Sequence, residues 1–244
     1  MESLYPQLPA LVVLFPFVGA LIAALVGWSH RDRVYGFAVV ILGLTVFSAV
    51  GCLCSVLHGN GMTYRLGGWP PPFGIEYKVD GMNALVLVVI SASAFLTTLF
   101  SRDIVERELR TRKEHFYTLL LLLISGLLGI TITNDAFNLY VLVEISALTS
   151  YALIAMSRGR AVFAAFQYVM IGTIGACFYL IGVGYLYIQT GTLNMTDLQG
   201  LIATMQDSRA IKAALIFILV GTWIKMGLFP LHGWLPNAYS EASE

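Results

Sequence analysis

Long uncharged runs separated by short charged connections set the pattern of this chain. Residues 3–29 hold no charged side chain, and further uncharged runs cover 34–57, 81–101 and 116–134. A run from 136 to 157 is interrupted only by Glu144, the stretch from 161 to 188 is uncharged and mostly apolar, and a last run begins near 211. Each is about 20 residues or more, enough to cross a hydrocarbon core of about 30 Å as helix. The pattern predicts an all-α protein, a polytopic transmembrane helical bundle of about seven spans. Ahead of the first run stands Glu2 with no Lys or Arg, so that run reads as a span that stays rather than a cleaved signal.

The seventh run differs from the rest. Between Ile211 and Tyr239 it carries Lys225 in its middle, then Gly227, Pro230, Gly233 and Pro236. Proline removes a backbone donor and clashes with the preceding turn, so regular helix should fail just past the lysine. The expectation is a discontinuous seventh helix, broken around Gly227, Pro230 and Pro236. A lysine at the bilayer centre costs about 3 kcal/mol on insertion scales, so it normally faces the protein interior, has a partner and marks a pathway.

Glu144 is the only other ionisable acid or base inside a run. It lies nine residues past Asp135, and Lys225 lies thirteen past Lys212. At 1.5 Å per residue these depths are about 13 and 20 Å, which lets both side chains sit near mid-membrane. One reading is a structural ion pair pinning the fifth span to the seventh. The other is a proton relay: the lysine charge is favoured while Glu144 is close and disfavoured by desolvation when it moves away, so a proton is bound or released as the pair closes or opens. A pair beside a broken helix has room to move, and the relay is the reading carried forward. His232, two helical turns beyond Lys225, is the next titratable station, or else an interfacial histidine beside Trp234 in an aromatic belt. Tyr140 and Tyr151 share a face with Glu144 at spacings of four and seven and read as packing residues.

Composition agrees with the pattern. Of 244 residues 58% are apolar and 11% charged, against about 25% charged in soluble domains, and mean hydropathy is +0.79. Fourteen basic and fourteen acidic residues give zero formal charge, which removes any case for nucleic acid. The distribution of charge says more. Arg31, Arg33, Arg102, Arg107, Arg110, Arg112, Lys113, Arg158 and Arg160 occupy connections on one side, whereas Arg65, Lys78, Arg209 and Lys212 occupy the other. The positive-inside rule then puts the N-terminus outside and makes this a multi-pass protein of the cell inner membrane.

The chain is expected to divide at 115/116. Residues 1–115 form a three-span region whose outer loop, 58–80, is rich in Gly and Pro and reads as a folded surface cap. Residues 116–244 hold spans four to seven. In the sixth span Ala161, Ala165, Gly172, Gly175 and Ala176 form a small-residue ridge that lets helices approach closely, and Gln167, Tyr168 and Thr173 are positioned to hold water. The inner connection 101–115 reads as a solvated helix end, with docking of a partner as the alternative. Cys52, Cys54 and Cys177 lie inside apolar runs, at no framework spacing. Cys54 and His58 are four apart, but two ligands do not make a zinc site. Asn194-Met195-Thr196 fits a glycosylation sequon, a pattern that arises by chance. No glycine-rich phosphate loop, nucleophile set or iron–sulfur cysteine set is present, so neither a metal nor another cofactor is expected and no redox chemistry is assigned to the chain itself.

Four stretches carry a family resemblance: Gly68-Trp69-Pro70 with Pro72-Phe73-Gly74-Ile75 and Asp80-Gly81; Asn138-Leu139-Tyr140 through Glu144-Ile145-Ser146; Gly191-Thr192-Leu193-Asn194-Met195; and Lys225-Met226-Gly227 with Pro230-Leu231-His232-Gly233-Trp234-Leu235-Pro236-Asn237-Ala238. Together they resemble the N-terminal half of the antiporter-like proton-translocating membrane subunits shared by respiratory complex I, membrane-bound hydrogenases and Mrp-type cation/proton antiporters. The first stretch is most similar to the D-type subunits of Mrp antiporters. The resemblance implies that Glu144 and Lys225 are the acid and base of a proton half-channel and that this is the first part of an inverted-repeat transporter fold. Family members have about fourteen spans. The expectation is therefore a split or truncated protein, or a second chain that completes it. Three functions follow. The first is a proton-conducting subunit of a multisubunit antiporter exchanging protons for Na+ or K+. The second is the pumping subunit of a complex I-like oxidoreductase or membrane-bound hydrogenase. The third is a non-transporting structural or assembly subunit. In each the partners are other membrane subunits.

Overall fold

A computed structural model describes residues 5–59, 61–109, 112–157, 159–205 and 208–241. Glu2, Arg110, Arg158 and the chain end at Glu244, all named above, lie outside the described residues. Two compact units are formed, one from residues up to 67 with 76–133, the other from 68–75 with 134 onward.

The first unit holds α1 (Leu8–Ser29), α2 (Val34–His58), α3 (Gly81–Glu108) and α4 (Lys113–Ile132). Between α2 and α3 the chain forms an antiparallel hairpin, β1 (Met62–Arg65) with β2 (Glu76–Val79), pairing Met62 with Val79 and Arg65 with Glu76. The surface cap expected over 58–80 is thus built on strands, a small departure from an all-helical chain. Buried side chains from α1 (Val12, Val13, Ala20, Ala23), α2 (Leu42, Ala49) and α4 (Tyr117, Leu121, Leu128) make the core, and Ser125 of α4 donates to the Val13 carbonyl of α1 at 3.1 Å. α4 thus packs with α1–α3 in the first compact unit, and the main part of the second begins at residue 134.

Charges gather where α1 meets α2 and α3 meets α4. Arg31 pairs with Glu114 at 3.3 Å, and Lys113 pairs with Asp32 and lies 3.8 Å from Glu106. The ammonium beside Asp32 holds that exposed carboxyl below its ordinary range. His58 Nδ1 lies 2.7 Å from the Cys54 carbonyl, a local helix-end contact.

The second unit holds α5 (Ala136–Ala155), α6 (Arg160–Thr190), α7 (Met195–Thr204), α8 (Arg209–Met226) and α9 (Trp234–Glu241). The 191–208 connection, which reads in sequence as loop, contains α7. Asn194 starts it, its side-chain oxygen accepting from the N–H groups of Thr196 at 3.0 Å and Asp197 at 3.2 Å. The sequon asparagine is therefore a buried helix cap.

The small-residue ridge of α6 meets α8. A Cβ at Gly221 of α8 would lie 2.6 Å from both the Gly175 carbonyl oxygen and the Tyr179 nitrogen of α6. Backbone touches backbone here, and only glycine leaves the room. Among the described residues six helices, α1 to α6, are long and apolar enough to cross a membrane, and their outer faces present Phe47, Phe100 and Ile188. In place of the full seventh span that the sequence predicts, α8 is 18 residues long and carries Arg209, Lys212 and Lys225.

Gly221→Ala should therefore destabilise the chain by about 1–3 kcal/mol through overpacking. Gly184→Ala, where an added Cβ meets nothing within 4 Å, should leave stability unchanged or slightly raised. Thermal unfolding of the two variants in detergent checks the contrast.

Candidate functional site

α6 packs against both α5 and α8, which brings one face of each near the other. α5 starts at Asp135, whose side chain accepts from the Asn138 N–H at 2.6 Å. Glu144 stands nine residues on. α8 starts at Ser208, whose hydroxyl accepts from the Ile211 N–H at 3.4 Å. Lys225 is its penultimate residue, and its ammonium donates to the Glu144 carboxylate. The side chains are 16% and 20% exposed for Lys225 and Glu144, so the pair is neither sealed in the core nor bathed in solvent.

α8 ends immediately after the lysine. Gly227 adopts a left-handed conformation, φ 63°. Its N–H bonds the Ile224 carbonyl at 3.2 Å, and the Leu228 N–H bonds Trp223 at 3.1 Å. This is a Schellman closure, which satisfies terminal carbonyls and needs glycine at the turning position. A cation in the last turn also lies at the negative end of the helix dipole. The lysine thus has two sources of favourable field, Glu144 and its own helix end.

The expected break residues fall in different places. Gly227 closes α8 and Pro230 lies in the linker. Pro236 lies in the first turn of α9, where a missing N–H removes no helical bond. It stands just beyond the gap between α8 and α9. His232 is exposed in the same linker, its ring centroid 5.6 Å from that of Phe229. The geometry brings Glu144 and Lys225 together and sets His232 apart, in a turn.

Trp234, expected in an interfacial belt, is instead 3% exposed. Its indole N–H donates to the Ile224 carbonyl at 3.1 Å, and its ring stacks on Tyr168 of α6 with centroids 4.0 Å apart. Tyr168 in turn meets Tyr151 of α5 edge-on at 4.3 Å. Asn237 of α9 donates to Gln167 of α6 at 3.0 Å. Thr173, considered for holding water, donates to its own helix at Val169. Tyr140 and Tyr151 share α5 with Glu144, four residues before it and seven after it, and Tyr168 of α6 meets Tyr151. The Tyr151 hydroxyl is buried, finds no hydrogen-bond partner in the protein and sits where a Cβ on Gly172 would lie, 2.0 Å from it. An unpartnered buried hydroxyl costs about 1–3 kcal/mol. Nothing in the order of residues signals that Trp234 folds back onto α8, because a turn of Gly and Pro carries no periodicity to follow.

Trp234→Phe should keep the stack on Tyr168 and lose the bond to Ile224, costing about 1 kcal/mol. Trp234→Ala should cost about 3–5 kcal/mol. The unfolding temperatures of the two variants in detergent measure the difference.

Residues 133–244 match the family described as NADH:quinone oxidoreductase/Mrp antiporter, TM. The match begins at the boundary between the two units. Over 96% of this chain, NADH-quinone oxidoreductase subunit N of Desulforudis audaxviator is 42% identical, the aligned part being 47% of that protein. The D-type subunit of a probable K(+)/H(+) antiporter of Rhizobium meliloti is 35% identical over 96% of this chain and 44% of its own length. Among solved structures, a chain of the membrane-bound sulfane sulfur reductase, an archaeal respiratory membrane complex, superposes with a TM-score of 0.91 at 33% identity, covering 97% of this chain and 48% of that one. The chain spans about half the length of the curated relatives it matches. A multi-pass helical bundle, the motif stretches around Glu144 and Lys225 and these likenesses all lead to one assignment: the chain belongs to the antiporter-like membrane subunit family related to complex I.

Proposed function

We propose that this chain is a proton-conducting membrane subunit of a larger complex, with Glu144 and Lys225 as the acid and base of one half-channel. The observation that carries the reading is the pair itself: an ammonium donating to a carboxylate at a helix end closed by Gly227. In the paired state Lys225 is charged. If the carboxylate withdraws or takes up a proton, the ammonium loses its counter-charge and its proton becomes easier to release. The group is thereby a switchable proton donor. His232, in the linker beyond the break, is proposed to exchange protons further along the route. We place the chain in the cell inner membrane with its N-terminus outside, on the distribution of Arg and Lys described above.

The driving force distinguishes two settings. The loop Gly68-Trp69-Pro70 to Ile75 favours a cation/proton antiporter, in which an Na+ or K+ gradient moves protons. The higher identity, 42% against 35%, is to a subunit of an NADH-quinone oxidoreductase. That likeness favours the second setting, proton pumping coupled to electron transfer elsewhere in the complex.

In membrane vesicles holding the assembled complex, Glu144→Gln and Lys225→Met should each reduce proton flux to the background leak while assembly is retained. Wild-type flux in both variants would overturn the half-channel. Loss of flux only together with loss of assembly would make the pair structural. A pH-sensitive dye reports the flux, and native gel migration reports assembly.

The same vesicles separate the two settings. An electron donor should start wild-type flux, whereas an imposed Na+ or K+ gradient alone should not. The opposite outcome assigns the chain to an antiporter.

A further inference from the structure

The Tyr151 hydroxyl is the polar group in this unit that the fold leaves without an explanation. Nearly every other buried polar side chain described there is bonded: Asn194 caps α7, Ser146 and Thr149 bond back to their own helix. Tyr151 is 4% exposed and its ring is held on two sides, edge-on against Tyr168 and against the bare backbone of Gly172. A phenylalanine would keep the ring contacts and leave open only the space that the oxygen takes over Gly172. The hydroxyl is packed there but unbonded, and buried hydroxyls are almost always hydrogen-bonded, to water where protein offers no partner.

Its position gives it a use. Tyr151 is seven residues after Glu144 on the same face of α5, about 10 Å along the helix, and lies within electrostatic reach of the carboxylate. Seven residues is two helical turns. Gly172 keeps open the space that the hydroxyl occupies; a methyl group there would collide with the oxygen.

We propose that Tyr151 is a proton-relay residue between the Glu144–Lys225 pair and the C-terminal end of α5, its hydroxyl bonded to water that reaches Glu144. This rests on the half-channel reading and extends it by one station. The step is an exchange of O–H bonds. A hydronium-like water formed by release from the pair gives a proton to the Tyr151 oxygen as the phenol passes its own proton to a water on the far side. The phenol ends neutral, no electrons move, and rotation of the O–H resets it.

The test uses the assembled complex in membrane vesicles. Tyr151→Phe keeps the ring and should lower proton flux at least about tenfold, equivalent to about 1.4 kcal/mol in the barrier, with assembly and thermal stability unchanged. Gly172→Ala should lower flux as well, by displacing the hydroxyl. If it acts through that oxygen, the double variant should be no slower than Tyr151→Phe alone, because the added methyl then meets only a ring carbon at 3.0 Å. Wild-type flux in Tyr151→Phe overturns the proposal, and so does a Tyr151→Phe complex that fails to assemble, since the hydroxyl would then be structural. Additive losses in the double variant overturn it too. Glu144→Gln in the same preparation separates the two levels. Flux retained there removes the half-channel itself, whereas flux lost there but kept in Tyr151→Phe removes only the relay.

Discussion

A basic side chain at the end of α8, largely withdrawn from the surface, has to be compensated within the fold, and the second unit is arranged to meet that requirement. Two elements do it. Glu144 supplies a counter-charge from α5, and the end of α8 supplies the negative pole of its own backbone. The backbone pole acts on Lys225 because α8 ends at Met226; in a longer helix the pole would lie further along the chain. Gly227 in its left-handed turn sets where that end falls. Removing one member of a fully buried pair typically costs about 3–5 kcal/mol, and the partial exposure of this pair lowers that cost.

Much of this was legible in the chain. Uncharged runs marked the helices because a bilayer imposes length and forbids unpaired charge, and that constraint leaves few alternatives. Glu144 and Lys225 stood out for the same reason. The glycine and proline cluster announced a break, and Gly227 adopts the positive φ that makes one. What was not legible depended on packing between distant segments. Pro236 looks the same in sequence whether it ends a helix or begins one; the fold puts it in the first turn of α9. Trp234 beside a histidine resembled an interfacial belt, yet its indole is bound to Ile224 and stacked on Tyr168. Tyr151 passed for packing because the missing partner of its hydroxyl is visible only when α6 is in place. The boundary at 133/134 likewise depends on α4 meeting α1, a contact between residues over a hundred positions apart.

The aromatic series Tyr151, Tyr168 and Trp234 joins α5, α6 and α9 beside the ion pair. Its members are rigid rings with few rotamers, and two of their polar atoms are used differently: the indole N–H closes a carbonyl at the end of α8, while the Tyr151 hydroxyl is left over. One end of the series therefore fixes the helix that bears the lysine, and the other belongs to the helix that bears the glutamate.

The contact between Gly175 and Gly221 has a mechanical consequence. Where two helices meet through side chains, they slide by switching rotamers. Here the main chains themselves abut at one crossing, while Phe178 and Tyr185 of α6 stack on Phe217 of α8 beside it. That crossing sets how closely α6 and α8 approach, and the lysine stands four residues beyond Gly221. A change in the separation of the two charges can then come from the methylenes of either side chain or from displacement of the helix that bears it.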